Sequence, residues 1–148
     1  MEYQSKTRYA RQIIMPEISE KGQIKLMQSK VLVIGAGGLG SPCLLYLASS
    51  GVGAKAYNGE LGICDFDNLE ISNLQRQIIH ETSDLKRNKA ESAKDAIFDL
   101  NPEINVKIHK NKLEKHNILE ILSNYDVIID GSDNFETRFI VNDACLEL

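Results

Sequence analysis

The sequence predicts an α/β protein built on a doubly wound, mainly parallel sheet. Lys30-Val31-Leu32-Val33-Ile34 and Asp126-Val127-Ile128-Ile129-Asp130 are apolar runs without polar alternation, the pattern of strands covered on both faces. Stretches with apolar residues at helical spacing separate such runs, and strand–helix alternation of this kind builds parallel sheets. A glycine loop, Gly35-Ala36-Gly37-Gly38-Leu39-Gly40, follows the first apolar run directly and opens a helix. The pattern is Rossmann-like, and in such sheets ligands bind beyond the carboxyl ends of the strands, where the strand order reverses.

Taken in order, Arg8-Tyr9-Ala10-Arg11-Gln12 stands about one helix ahead of the first strand and reads as a cationic, disordered arm. Ile18 to Gln28 carries Ile18, Ile24, Leu26 and Met27, a short helix leading into Lys30–Ile34. After the glycine loop, Leu39 to Ser50 supplies Leu44, Leu45, Leu47 and Ala48 for a buried helix, with Pro42 in its first turn, where a missing N–H does no harm. Ala54 to Glu60 is a polar, turn-like segment before the second strand, Leu61 to Asp65. A polar loop follows. Asp84 to Leu100 then sets Leu85, Ala93, Ile97 and Leu100 at helical spacing, with Thr82 or Ser83 as cap and Asn101-Pro102 as stop. Ile104, Val106 and Ile108 alternate with polar residues and predict a half-exposed third strand. Asn117 to Ser123 is a short helix, and Gly131-Ser132 stops the fourth strand at Asp130. Asn134 caps a last helix carrying Phe135, Phe139, Ile140 and Ala144, with Cys145 expected in its core.

Composition narrows the function. A chain of 148 residues suits one domain, and its net charge of −4 gives no basic field for nucleic acid. Cys43, Cys64 and Cys145 form no C-x-x-C pair, so neither a zinc knuckle nor a disulfide framework is indicated, and the cytoplasm is the expected compartment. Val31 to Ala54 is uncharged, but its glycines and Pro42 divide it into strand, loop and helix, so no membrane span is expected. The first six residues lack the apolar core of a signal peptide.

The candidate chemistry gathers at strand ends. Gly35, Gly37 and Gly40 fit G-x-G-x-x-G, whose physics is close approach of phosphates to a helix N-terminus, and Gly38 adds another position of open backbone. The motif does not choose between a dinucleotide and ATP. Asp65 ends the second strand and can accept ribose hydroxyls; Asp67 follows it as a second carboxylate. Asn73, Gln75, Arg76 and Lys89 come next, and cations beside a triphosphate stabilise charge that builds on a leaving pyrophosphate. Lys89 in isolation reads equally as part of a solvated helix face with Lys86, Arg87 and Lys94. Asp133, just past the fourth strand, suits Mg²⁺, which takes few carboxylates along with phosphates. His80, His109 and His116 are scattered and read as surface residues.

Arg8 to Ile13, Gly35 to Gly40, Asp65-Phe66-Asp67, Ser72-Asn73-Leu74-Gln75-Arg76-Gln77, Lys89-Ala90-Glu91-Ser92 and Ser132-Asp133-Asn134 occur in an order that resembles the ThiF/MoeB/HesA family, bacterial relatives of ubiquitin-activating enzymes. Among its members the MoeB-type molybdopterin-synthase adenylyltransferases are the nearest in pattern. The resemblance implies ATP-dependent adenylylation of the C-terminal glycine carboxylate of a ubiquitin-like sulfur-carrier protein of the molybdopterin or thiamine pathways. ATP and Mg²⁺ are then the implied cofactors, and a homodimer the implied assembly. Gly35, Gly37, Gly38, Gly40, Asp65, Asp67, Ser72, Asn73, Leu74, Gln75, Arg76, Lys89, Asp133 and Asn134 become the implied nucleotide site. Arg11, Arg76, Lys89 and Asp133 carry the implied catalytic roles, Asp133 through the metal and Arg11 in the neighbouring subunit's site. Residues 1–29 read as an arm and helix, and residues 30–148 as the ATP-binding domain. The family usually continues for about a further hundred residues, with a carrier groove, a crossover cysteine and a zinc site that this sequence does not include. It therefore reads as truncated relative to the family, an amino-terminal half.

Two readings compete. A nicotinamide-dependent oxidoreductase domain accounts for the glycine loop and Asp65 but not for Arg11, Arg76 and Lys89 together. A catalytically silent module that binds nucleotide or dimerises accounts for the short length.

Overall fold

The structure, a computed structural model, describes residues 1–148. Four parallel strands, β1 (Lys30–Ile34), β2 (Glu60–Cys64), β3 (Val106–His109) and β4 (Val127–Asp130), form one sheet in the order β3-β2-β1-β4. The chain steps outward from β1 to β2 to β3, then crosses back to place β4 on the other side of β1. The reversal falls between β1 and β4, paired from Val31↔Val127 to Ile34↔Asp130, and a ligand crevice is expected beyond their carboxyl ends.

Alternate residues of a strand face opposite ways, and β1 serves two cores. Val31 and Val33 pack with Leu44 and Ala48 of α4 (Gly40–Ser49) and Ala93 and Ile97 of α5 (Lys89–Leu100). Leu32 and Ile34 pack on the other face with Ile118 and Leu122 of α6 (Ile118–Leu122) and Val141 and Ala144 of α7 (Phe135–Glu147). Beyond their first residues, Lys30 and Glu60, both central strands are without polar residues because both faces are covered.

The N-terminal segment is ordered, contrary to the disorder expected of Arg8–Gln12. It forms α1 (Tyr3–Arg8), α2 (Ala10–Ile13) and α3 (Ser19–Gln28). The tie is polar as well as apolar. Tyr9 is 1% exposed, its hydroxyl donates to Glu103 Oε2 at 3.1 Å, and it accepts from Asn101 Nδ2 at 2.9 Å. Gln23, fully buried, accepts from Gln12 at 2.7 Å and donates to the Ser50 carbonyl at 2.9 Å.

Other differences concern edges and caps. The helix expected from Asp84 begins at Lys89, because Lys86 has φ +71° and Thr82–Asp84 forms a separate 3₁₀ turn. Its cap is Asn88, whose Oδ1 accepts from the Ala90 and Glu91 N–H groups, in place of Thr82 or Ser83. β4 is an edge strand and Val127 is half exposed, so its apolar run is not covered as the sequence suggests. Phe135 and Phe139 of α7 are exposed, as is Cys145, which was expected in the core. No helix is long and apolar enough to cross a membrane.

Candidate functional site

The glycine loop is shaped first by the fold. Gly35 has φ +90°, a conformation that a side chain opposes, and a Cβ on Gly40 would stand 1.7 Å from the Gly35 carbonyl oxygen. These two glycines make the strand–helix turn possible. Gly37 and Gly38 differ from them. Neither has positive φ, and a Cβ on either would meet its nearest neighbours, the side chains of Gln77 and Arg76, at 3.5 Å or more. The protein itself has room for alanine there, so the bare backbone serves whatever enters the space beyond.

That space is a cleft of about 560 Å³ at the β1/β4 reversal, lined by Gly37, Gly38, Leu39, Asp65, Asp67, Arg76, Gln77, Lys89, Gly131, Ser132, Asp133 and Arg138. A smaller recess of about 70 Å³ shares Asp65, Asp67, Ser132 and Asp133 with it and adds Gly35, Asn134, Lys112 and Leu113. Asp65 sits just past β2 and is buried. Its Oδ2 accepts from the Ala36 N–H at 2.8 Å and its Oδ1 from the Asp67 N–H at 2.9 Å. Burial raises its pKa above the ordinary carboxylate value, against the opposing pull of those two amides and of Lys89. Each oxygen retains a lone pair, and a sugar hydroxyl could donate to it.

Lys89 is the first residue of α5 and is 7% exposed, so the solvated-face reading of it is wrong. Its Nζ lies 3.9 Å from Asp67 Oδ2, too far for a hydrogen bond. Asn88 fixes its entry to the cleft: besides capping α5, its Nδ2 donates to the Asp65 and Asp67 carbonyls at 3.1 and 3.2 Å. The guanidinium of Arg76 donates to the Ser72 carbonyl at 3.2 Å, and its stem lies against Gly38. Arg138 of α7 donates to the Ser132 carbonyl at 3.0 and 3.3 Å. Asp133 is exposed at the cleft mouth.

Of the residues predicted from sequence, Gly37, Gly38, Asp65, Asp67, Arg76, Lys89 and Asp133 share the cleft, while Gly35 and Asn134 line the adjoining recess. Gly40, the first residue of α4, lines neither. Ser72, Asn73, Leu74 and Gln75 do not line the cleft; they build the turn that presents Arg76, with Asn73 Oδ1 accepting from the Glu70 N–H at 3.0 Å. Arg11 is exposed on α2, outside the cleft of its own chain. Sequence reasoning missed five lining residues: Leu39 and Gly131, and the polar Gln77, Ser132 and Arg138. Gln77 was adjacent to Arg76 in the motif, but Arg138 had no signal beyond its place one turn after Asn134. His80, read as a surface residue, is buried against the glycine loop, where its Nε2 meets the Ala36 carbonyl at 2.8 Å.

Chemically, the cleft offers bare backbone and three cations to a polyphosphate, a buried carboxylate to hydroxyls, and two exposed carboxylates to a cation. The side chains fit such a guest. Of three buried side-chain oxygens without a hydrogen-bond partner in the protein, Gln77 Oε1 and Ser132 Oγ line the cleft and Ser41 Oγ lies in α4 outside it; the condition is expensive unless something else supplies a partner.

Comparison with known proteins adds to this. A family model described as the ThiF family matches residues 9–148. A probable molybdopterin-synthase adenylyltransferase of Porphyra purpurea is 49% identical over 142 residues, which are 96% of this chain and 36% of that protein. The probable adenylyltransferase/sulfurtransferase MoeZ of Mycobacterium tuberculosis is 50% identical over 139 residues, 94% of this chain and 34% of its own. Among solved structures, E. coli MccB with ATP superposes with a TM-score of 0.75 at 30% identity, covering 84% of this chain and 36% of that one. The chain thus spans about a third of the length of the curated relatives it matches.

Proposed function

The chain belongs to the ThiF family, and from that premise we propose that it forms the nucleotide-binding part of an ATP-dependent adenylyltransferase. The observation that carries the reading is the meeting of Gly37, Gly38, Arg76, Lys89, Asp65 and Asp133 in one cleft at the sheet's topological reversal, although the sequence scatters them over about a hundred residues. The proposed substrate is the C-terminal carboxylate of a ubiquitin-like sulfur carrier. Its oxygen attacks the α-phosphorus of ATP; an acyl-phosphate bond forms, the bond from the α-phosphorus to the bridging oxygen breaks, and pyrophosphate leaves.

In this reading Gly37 and Gly38 let the phosphates approach the backbone, and Asp65 accepts from the ribose. Lys89 and Arg76 neutralise charge accumulating on the leaving pyrophosphate, which is where preorganised cations act most strongly. Mg²⁺ would be held by Asp133 with phosphate oxygens, since magnesium needs few protein carboxylates, and would add Lewis-acid charge compensation. Ser72 to Gln75 support Arg76. Arg11, exposed on α2, is proposed to act in the site of a second copy, making the working unit a homodimer. Positioning and electrostatics account for the chemistry; no covalent step on the protein is required.

The test has two stages. ATP with Mg²⁺ is expected to raise the melting temperature, and NADH is not; a shift with NADH alone would move the reading to an oxidoreductase. Carrier-dependent ATP–pyrophosphate exchange is then expected to disappear in Arg76→Ala and Asp133→Ala. Arg11→Ala and Lys89→Ala should each be inactive yet partly restore exchange when mixed, and failure to do so removes the trans role. Binding without exchange would leave a nucleotide-binding module.

A further inference from the structure

Ala36 of the loop is fully buried, and its peptide groups are held from both sides. Its N–H donates to Asp65 Oδ2, as described; its carbonyl meets His80 Nε2 at 2.8 Å. A carbonyl can only accept, so Nε2 must carry a proton. Across a planar trans peptide, the carbonyl of one residue and the N–H of the next point in opposite directions. Drawing the Ala36 carbonyl inward onto His80 therefore turns the Gly37 N–H outward, and Gly37 lines the cleft.

The imidazole is itself aimed. Its Nδ1 lies 2.7 Å from Ser92 Oγ, and Ser92 Oγ lies 2.8 Å from Asp84 Oδ2. Asp84 also accepts from the Glu81 N–H at 3.1 Å and from Arg87 at 2.6 Å. A neutral ring has one proton. On Nε2 it satisfies Ala36, and the single Ser92 hydroxyl proton then serves Nδ1 or Asp84 Oδ2 but not both; on Nδ1 it would leave two lone pairs facing each other at the Ala36 contact. The Ala36 carbonyl thus requires the proton on Nε2, while Ser92, itself held by Asp84, fixes the orientation of the ring.

We infer that His80 is a positioning residue for nucleotide binding: as an Nε2–H donor to the Ala36 carbonyl, oriented by Ser92 and Asp84, it aims the Gly37 N–H at the phosphates without touching them. This rests on the proposed reading of the cleft as a nucleotide site. The charged groups that face the ring are Asp84 from the 3₁₀ turn, Lys89 from α5 and Asp65 from the end of β2.

Two amide variants separate the contacts. His80→Gln carries its amide nitrogen near the Nε2 position and can still donate to Ala36; His80→Asn reaches only the Nδ1 position. ATP affinity, measured by titration calorimetry, is expected to fall about tenfold in His80→Asn, the loss of one buried hydrogen bond, and to stay within about threefold of the parent in His80→Gln. Equal affinity in parent and both variants overturns the inference and spares the nucleotide reading. No ATP binding by the parent overturns the nucleotide reading, and the inference with it. Should the variants fold poorly, imidazole ¹⁵N shifts of the unaltered protein decide: an Nε2–H tautomer whose signals move on adding ATP supports the inference, and an Nδ1–H tautomer or signals indifferent to ATP refutes it.

Discussion

Replacing Lys89 by methionine separates what the cleft does from what the fold needs. Methionine keeps the length and most of the volume of the lysine stem, so packing at the start of α5 changes little. The lost charge interaction is small. Nζ is 3.9 Å from an Asp67 carboxylate whose side chain is 57% exposed, and a solvent-screened pair of that kind contributes about 0–1 kcal/mol. Its removal strands no buried partner at that position, because Asp67 is solvated. Asp65, which is buried, loses a favourable cation nearby but keeps its two backbone donors. Against these losses stands the relief of no longer burying an ammonium that lacks a close partner. The expected change in stability is within about 1 kcal/mol, or about 2–4 °C in melting temperature for a chain of this size. Nucleotide binding should respond differently. A charge-assisted hydrogen bond to phosphate contributes about 1.5–3 kcal/mol, which corresponds to a loss of about ten- to a hundredfold in ATP affinity. Scanning calorimetry without nucleotide, beside titration of ATP, reads both quantities on one preparation. A melting temperature lowered by more than about 5 °C would make Lys89 a structural residue, and unchanged ATP affinity would remove it from the phosphate site.

The glycines give a second contrast: Gly38→Ala is expected to keep the parental melting temperature and lose ATP affinity, whereas Gly40→Ala, whose Cβ would overlap the Gly35 carbonyl, is expected to destabilise the fold outright. Equal thermal loss in the two variants would refute the division between them. Burial pushes the His80 imidazole below its ordinary 6.5, and the protein should therefore lose stability as pH falls from 6.5 through the lowered folded value, because the unfolded chain takes up the proton first. Melting curves against pH should show a shallower slope in His80→Gln than in the parent, with His109, also lowered by burial, keeping its own share; an identical slope in both would assign it to another group.

The parallel sheet was legible because its two central strands are covered on both faces, and a covered strand writes its burial as an unbroken apolar run. The same signal misled at β4. Val127 belongs to such a run yet lies half exposed at the sheet edge, since a sequence states what a residue would prefer and not whether a neighbour reaches it. Phe135 and Phe139 on α7 misled likewise. The start of α5 was misplaced for a local reason. Leu85 and Ala93 share helical spacing, but Lys86 at positive φ and the Asn88 cap interrupt the backbone in a way that hydrophobic period cannot register. Residues of the site were readable where a motif fixes backbone geometry, as at the glycine loop, or where a charge ends an apolar strand, as at Asp65 and Asp133. Gln77, Ser132, Arg138 and His80 were not, because their roles depend on which distant segments fold against them. Lys89 needed the tertiary structure most: one lysine among several on a helix is buried, and only packing tells it from the rest.

What distinguishes a binding cleft from a mere gap between strand ends is that its features are costly to the empty fold. Gly35 and Gly40 are explained by the turn they make, and Asp84 by the donors gathered around it. Gly37 and Gly38 are not explained so, since each has room for a side chain and accepts the entropic cost of glycine without a conformational need. Gln77 Oε1 and Ser132 Oγ are buried without a donor, and Lys89 buries an ammonium whose nearest carboxylate is 3.9 Å away. Any one of these could be an accident of packing. All five line the same cleft, and one kind of guest would relieve them together: a polyphosphate with its metal and ordered water approaches bare backbone, pairs with the ammonium and brings polar groups to the orphaned oxygens. A protein selected only to fold or to dimerise would have no reason to collect these costs at the single place where the strand order reverses.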